Sequence, residues 1–299
     1  MDSEQERIGQ IWSAKQQQQK CAERLHWYQS PTILHHITQL ICAEAQPDIG
    51  TAIRKLIRTI SPALPYKHGI SVACGTGIKE MRLVEDGLVE HFDLYELSEY
   101  AVEQGVKIAA DKGLENRITF HHGDALKAGI LPGSHDFVYW DNALHHMMDA
   151  YAAVEWSKSM LAAKGCFFMY DFVGPTRFQW TDEQTGIVTH VLESMDDAYF
   201  FIPNSEYMWK KAPNKMNLEE MLQADPSEAA DSDNILPAFR SYFPEGKIIP
   251  LGGLIYVLAL DGIMVNIPEN SVLLKKLLNI DLLLSKQRHN YFAVAYAVI

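Results

Sequence analysis

This 299-residue chain has no cysteine pairs, basic tracts or spanning segments, and each absence removes a class of protein. Its four cysteines, Cys21, Cys42, Cys74 and Cys166, show no CxxC spacing. They read as buried, reduced thiols of a reducing, cytoplasmic compartment, and not as a disulfide or zinc framework. Positive charge is scarce: 26 Lys and Arg face 38 Asp and Glu, a net charge of −12. No run of Lys or Arg exceeds a solvated helix face, which argues against a nucleic-acid partner. The longest apolar stretch, about Ile248 to Leu260, holds Pro250, Gly252 and Gly253 and is too short to cross a bilayer, so no membrane partner is expected. The polar N-terminus carries no signal-peptide pattern. There are no internal repeats, and the glutamine run Gln16–Gln19 reads as helix surface.

What is present is a chain 47% hydrophobic, enough for one enlarged domain or a domain with a large insertion. Residues 1–60 have helical periodicity, with Ile33, Ile37, Leu40 and Ile41 on one face and Ile53, Leu56, Ile57 and Ile60 on another. Pro31 suits a helix start after Ser30. Strand patterns follow at 69–73, 91–95, 117–121, 135–140 and 165–171, alternating with helix patterns at 78–86, 99–112 and 150–162. Gly113 and Gly165 stand where helices should stop. Such alternation specifies an α/β fold, a mostly parallel sheet between helices.

Beyond Gly174 the pattern turns helical. Thr181 with Gln184, and Asn217 with Glu220, form capping boxes, and a third helix covers roughly 232–242. A strand at 247–259, a helix at 271–287 and an alternating, aromatic strand at 291–298 close the chain. The expected divisions are an N-terminal helical cap at 1–65, a core at 66–175, a helical lid at 176–246 and C-terminal strands at 247–299.

Chemistry concentrates in the core. Ile70-Ser71-Val72-Ala73-Cys74-Gly75-Thr76-Gly77 is a strand running into a glycine turn, with a helix N-terminus behind it, the geometry of a nucleotide site. Nineteen residues after Gly77 the second strand ends in Glu96-Leu97, where a carboxylate can accept from both ribose hydroxyls. The third strand ends in Gly123-Asp124-Ala125, where Asp124 either takes the exocyclic amine of adenine or caps a helix. The fourth opens into Asp141-Asn142-Ala143-Leu144-His145-His146, and a Lys164-Gly165 turn leads to a fifth strand ending at Tyr170-Asp171.

In that order and spacing, these residues resemble the class I S-adenosylmethionine-dependent methyltransferases over about 66–175. The resemblance implies a Rossmann-like seven-stranded sheet with a reversed last strand, and S-adenosyl-L-methionine as cofactor. By the same analogy Ala73, Cys74, Gly75 and Gly77 meet the methionine part, Glu96 and Leu97 hold the ribose, Asp124 and Ala125 frame the adenine, and Asp141 and Asn142 complete the cofactor rim. The segment Asp171-Phe172-Val173-Gly174-Pro175-Thr176-Arg177-Phe178-Gln179-Trp180, with Asp225-Pro226-Ser227-Glu228-Ala229 and Gly252-Gly253, looks like a subgroup associated with glycan or secondary-metabolite pathways. Three positions depart from pattern: Ser71 replaces an acidic residue, Ala73 a glycine, and Asp171 the subgroup's more frequent Glu.

The expected activity is methyl transfer to a small molecule: a sugar, an amino-acid-like compound or a secondary metabolite. Candidate catalytic groups are His145, His146, Asp141 and Asp171, placed at strand ends where acceptors enter. Arg177, Trp180 and Tyr207 are candidate substrate contacts, with Phe178 and Trp209 beside them, while Trp27, Tyr28 and His35 or His36 are candidates to cover the cofactor. No metal is expected, because adjacent histidines often diverge and no HxH or HExxH spacing occurs. Two other readings stay open. One is an NAD(P)-dependent oxidoreductase, although the third glycine of GxGxxG is missing and the Tyr207–Lys211 pair falls in the insertion. The other is a non-catalytic scaffold that binds the cofactor.

Overall fold

The computed structural model describes residues 3–18, 26–61, 63–213, 217–287 and 289–299, without the side chains of 3 and 14–18. Cys21 and Gln19 lie outside them. Three helices come first: α1 (Ser3–Gln18), α2 (Pro31–Cys42) and α3 (Ile49–Ile60). Each of the latter two starts where its cap dictates. Ser30 Oγ accepts from Ile33 N with Pro31 at the first helical position, and Asp48 accepts from Thr51 N.

The alternating region forms β1 (Tyr66–Val72), α4 (Ile78–Glu85), β2 (Val89–Glu96), α5 (Glu99–Asp111), β3 (Ile118–His122), β4 (His135–Asp141), α6 (Ala150–Met160) and β5 (Leu161–Phe172). The insertion supplies α7 (Asp182–Glu193), α8 (Leu218–Ala224) and α9 (Ile235–Tyr242), the first two opening with the expected capping boxes. The chain closes with β6 (Lys247–Gly253), α10 (Leu254–Leu258), α11 (Val272–Lys286) and β7 (Asn290–Val298).

The strands form one seven-stranded sheet in the order β3-β2-β1-β4-β5-β7-β6. β7 is antiparallel to both neighbours, and the remaining pairings are parallel. This is the mostly parallel α/β sheet with a reversed last strand. Period-two alternation divides its side chains between two cores. Phe137, Tyr139, Phe168 and Tyr170 join the core containing α2 and α3 residues such as Ile33, Ile37 and Ile53. Val138, Trp140, Phe167 and Met169 join the opposite core with Val154, Ile235 and Phe239. Buried side chains of this size contribute about 1.5–3 kcal/mol each.

Three expectations change. The strand expected over 247–259 stops at Gly253, because Gly252 and Gly253 take φ of 78° and 120° and the Asp281 carboxylate accepts from Gly253 N and Ile255 N. The chain therefore turns into α10. Gly165 does not end a helix: α6 stops at Met160 and Gly165 lies inside β5, where a Cβ would sit 2.8 Å from Ala162 O. Of the described cysteines only Cys166 is buried; Cys42 and Cys74 are half-buried, and none is paired.

Candidate functional site

The parallel strands end along one rim, and the glycine turn occupies its centre. Ala73 adopts φ of 52°, a left-handed conformation that costs a residue with a Cβ roughly 1–2 kcal/mol, which accounts for glycine being the usual residue there. Gly75 N donates to Glu96 Oε2 at 2.8 Å and Ser98 N donates to Oε1 at 2.8 Å, so the carboxylate clamps the turn to the end of β2. Burial pushes the Glu96 carboxyl up, against those backbone donors.

Ser71 pairs with an acid from the next helix. Glu80 in α4 is 2% exposed, and its Oε1 accepts from Ser71 Oγ at 2.8 Å. Its Oε2 has no partner, and burial pushes the carboxyl up to about 7. A buried carboxyl oxygen thus stands without a hydrogen-bond partner. Glu80 was absent from the sequence candidates; its helical position, nine residues after Ser71, was the available signal.

The rim is covered by α1, not by Trp27 or Tyr28. Gly9 lies against Leu97, where a Cβ would come within 2.4 Å of the carbonyl oxygen, so only glycine permits the approach. Ser13 and Ser98 hydroxyls are 2.7 Å apart. Gln5 Nε2 donates to Asp124 Oδ2 at 2.5 Å, while Asp124 Oδ1 accepts from Leu126 N and caps the turn Ala125–Lys127. Trp27 instead packs on Tyr256 and Phe292, Tyr28 is 53% exposed, and His35 is exposed. His36 is half-buried, with a buried Nε2 that has no hydrogen-bond partner.

At the end of β4, Asp141 is held by Lys79 Nζ at 2.6 Å and by Tyr139 Oη, which donates at 2.7 Å. Asn142 follows with φ of 54° and donates its N–H to Tyr170 O. Asp171 is fully buried and faces the 144–146 turn. Its carboxylate accepts from the backbone N–H groups of Ala143, Leu144, His145 and Phe172, and lies 2.5 Å from His145 Nδ1. The shorter Asp side chain therefore serves a loop and a histidine, and its own oxygens are occupied. On its other edge His145 Nε2 is 3.5 Å from Glu228 Oε1. Burial alone would lower the His145 pKa, but Asp171 and Glu228 override it and push it up to about 10. Beside it, burial and His145 push His146 down to about 4. The two rings, expected to diverge, lie 4.1 Å apart between centroids. His146 Nδ1 is 3.1 Å from Ser227 Oγ, and Trp12 of α1 meets its ring edge-on at 5.0 Å.

Next to this cluster is a cavity of about 1060 Å³. Phe178, Trp180, Phe200, Trp209, Met221 and Ile263 form its apolar wall, and Asp225, Glu228 and Lys210 add polar groups. Trp180, Phe178 and Trp209 are the sequence candidates that line it. Arg177 acts on the backbone: its guanidinium donates to the carbonyls of Pro226 and Glu228 and so fixes the segment that carries Glu228. Tyr207 does not line the cavity. It is 75% exposed beside the Phe201–Met208 bridge, while Trp209 two residues on turns inward. Glu228 itself was part of a recognised segment without an assigned role, since only the folding of the segment after Gly174 brings it to His145.

This sheet order and rim define the Rossmann-like methyltransferase fold. A geranyl diphosphate C-methyltransferase from Streptomyces coelicolor A3(2), solved with Mg2+, geranyl diphosphate and S-adenosyl-L-homocysteine, superposes with a TM-score of 0.58 at 11% identity, over 99% of this chain and 98% of that one. A geranyl diphosphate methyltransferase in complex with SAM gives 0.54 at 11% identity over 88% and 89%. The 4+2-cyclase SpnF gives 0.52 at 13% identity over 98% and 96%. Residues 70–165 match the family model described as "Methyltransferase domain". Residues 70–165 therefore match a methyltransferase domain, and the chain has the fold that these methyltransferase structures share.

Proposed function

We propose that the protein transfers a methyl group from S-adenosyl-L-methionine to a small acceptor with a largely apolar body and a polar reacting end. Among the sugar, amino-acid-like and secondary-metabolite classes, this favours a secondary metabolite. The observation that carries the reading is the closure of the Ala73–Gly77 turn on Glu96, at 2.8 Å, on the same strand-end rim as His145, whose neighbour Glu228 lines an aromatic cavity. When bound, the cofactor supplies an activated methyl on a sulfonium. Glu96 is placed for the ribose, Asp124 and Ala125 for the adenine, and Glu80 for the ammonium that the Ser71 position cannot pair. Asp141 and Asn142 sit on the rim between the turn and the His145–His146 loop.

Positioning is the main task of such a site and can supply about 7–11 kcal/mol. The wall of Phe178, Trp180 and Trp209 supports an apolar acceptor body, because burial against aromatics excludes water on all sides but the polar end. At that end Asp171 orients His145, with His146 beside it. No helix among the described residues is long and apolar enough to cross a membrane. With a net charge of −12, the chain is unsuited to a nucleic-acid acceptor.

The test is calorimetric titration with S-adenosylhomocysteine, with Glu96→Ala as control, followed by an acceptor screen scored by the mass gain of one methyl group. Micromolar binding that weakens on the order of 100-fold in the variant is expected, from two hydrogen bonds to a charged acceptor. A folded wild type that binds no S-adenosylhomocysteine would sink the reading. Because a cyclase shares this fold, the screen must score methylated product and not substrate loss.

A further inference from the structure

We propose that His145, His146 and Glu228 form a binding site for one divalent transition-metal ion, with open coordination positions facing the lid cavity. A ligand atom from each of the three lies within 4.8 Å of the others, and this is the one such cluster among the described residues. The His145 Nε2 to Glu228 Oε1 distance of 3.5 Å is already close to the ~3.3 Å edge of a tetrahedron built on ligand distances of ~2.0–2.2 Å.

The hydrogen-bond partners assign the tautomers. Asp171 can only accept, so His145 Nδ1 carries the proton between them, at 2.5 Å. Ser227 Oγ donates to Asp225 Oδ1 at 2.7 Å, so its oxygen is left to accept from His146 Nδ1–H at 3.1 Å. Both rings are thus held by their Nδ1 edges; His146 offers an Nε2 lone pair, and His145 offers one when the ion displaces the proton between its Nε2 and Glu228. An oxygen partner on the far nitrogen, carboxylate-backed in each case, is the outer shell that metal-binding histidines show.

Both sides of the site are built in advance. Asp171 is fixed by four backbone N–H groups, from Ala143, Leu144, His145 and Phe172. The lid segment is tied to the histidine loop by Ala230 N donating to His145 O, and to Arg177 through the carbonyls of Pro226 and Glu228. The local charge also favours a cation, since Asp171, Asp225 and Glu228 converge here against the guanidinium of Arg177. Two imidazoles and one carboxylate suit zinc, cobalt, nickel or iron better than magnesium or calcium. Three protein ligands leave room for an oxygen of the acceptor, since Glu228 lines the cavity. That last role rests on the methyltransferase reading; the metal site does not. The competing occupant of the space between His145 and Glu228 is a single proton.

The test uses the chelator-treated full chain titrated with Co2+ and followed by visible absorption. Wild type is expected to take up one equivalent, give the ligand-field band of a four- or five-coordinate nitrogen-bound ion, and release it to Zn2+. Glu228→Gln and His146→Gln should weaken Co2+ binding at least tenfold while melting near the wild-type temperature and retaining S-adenosylhomocysteine binding. Absence of saturable Co2+ binding by the folded wild type overturns the proposal, and so does binding that both variants leave unchanged. Co2+ binding without S-adenosylhomocysteine binding would support the metal site while sinking the methyltransferase reading, so the two failures are separable.

Discussion

At the β1–β2 end of the rim, the important groups are close in sequence and are held by backbone. Gly75 and Glu96 are 21 residues apart and joined through one turn, and Ser98 N closes the same carboxylate. At the β4–β5 end a similar local pair is joined by groups that are distant in sequence and held by side chains. His145 is set by Asp171, 26 residues on, and His146 meets Ser227 across 81 residues. The first end is a strand–turn–helix device that a parallel sheet makes almost automatically. The second is completed only by residues 176–246, which bring Ser227 and Glu228, and its wall is aromatic where the first is glycine and carboxylate. A site made of neighbouring elements can be written locally, whereas one that draws on a long connection is written by the loop that folds over it.

The strongest way to break this contrast is to damage one end and measure both. Asp171→Asn puts an amide where four backbone N–H groups and a histidine need an acceptor. A loss of about 3–5 kcal/mol in denaturant unfolding is expected, typical of a broken buried pair, with S-adenosylhomocysteine affinity in the folded fraction nearly unchanged. An equal loss of cofactor affinity would mean the two ends are one unit.

Glu80 gives the next effect, at the other end and through pH. Its carboxyl is raised from 4.5 to about 7 by burial, so the folded chain holds this proton more tightly than the unfolded one. The favourable contribution is full below pH 4.5 and is lost as pH rises toward 7, about 3 kcal/mol in all. Asp281, raised to about 6 by burial, slopes the same way over a lower window. Urea unfolding at pH 5 and pH 8 should therefore show wild type weaker at pH 8, and Glu80→Gln should flatten most of the difference. A variant as pH-sensitive as wild type would remove Glu80 as the source.

A smaller effect tests the cover. Gln5 occupies the Asp124 oxygen expected to receive the adenine amine. Gln5→Ala should tighten S-adenosylhomocysteine binding about fivefold, the worth of one net hydrogen bond. Weaker binding would instead mean that α1 closes favourably over the bound cofactor. The smallest effect belongs to Tyr207, which is 75% exposed. Tyr207→Ala should change stability by less than about 0.5 kcal/mol and leave acceptor turnover unchanged, while Trp209→Ala, on the cavity wall, should raise the acceptor KM.

Much of this was legible in the sequence, because the information is short-range. Seven strands and the helices between them follow from hydrophobic period, and the helix starts at Pro31, Asp182 and Leu218 follow from the caps that precede them. The failures were also local in kind. Gly252 and Gly253 looked continuous with a strand, since only the carboxylate of Asp281, from α11, turns the chain there. Gly165 looked like a helix stop, since nothing in its neighbourhood reveals that it packs against Asp136 O of the adjacent strand.

The sequence by itself determined the sheet, the glycine turn and the acids that face it, because each depends on residues within about one strand–helix unit of one another. Tertiary structure alone decided that Glu80 pairs with Ser71 and keeps one oxygen unpartnered, that Gln5 rests on Asp124, that Tyr207 faces solvent, and that Glu228 reaches His145. Those outcomes depend on which distant segments pack together, and packing selects them by shape and buried charge that no local period encodes.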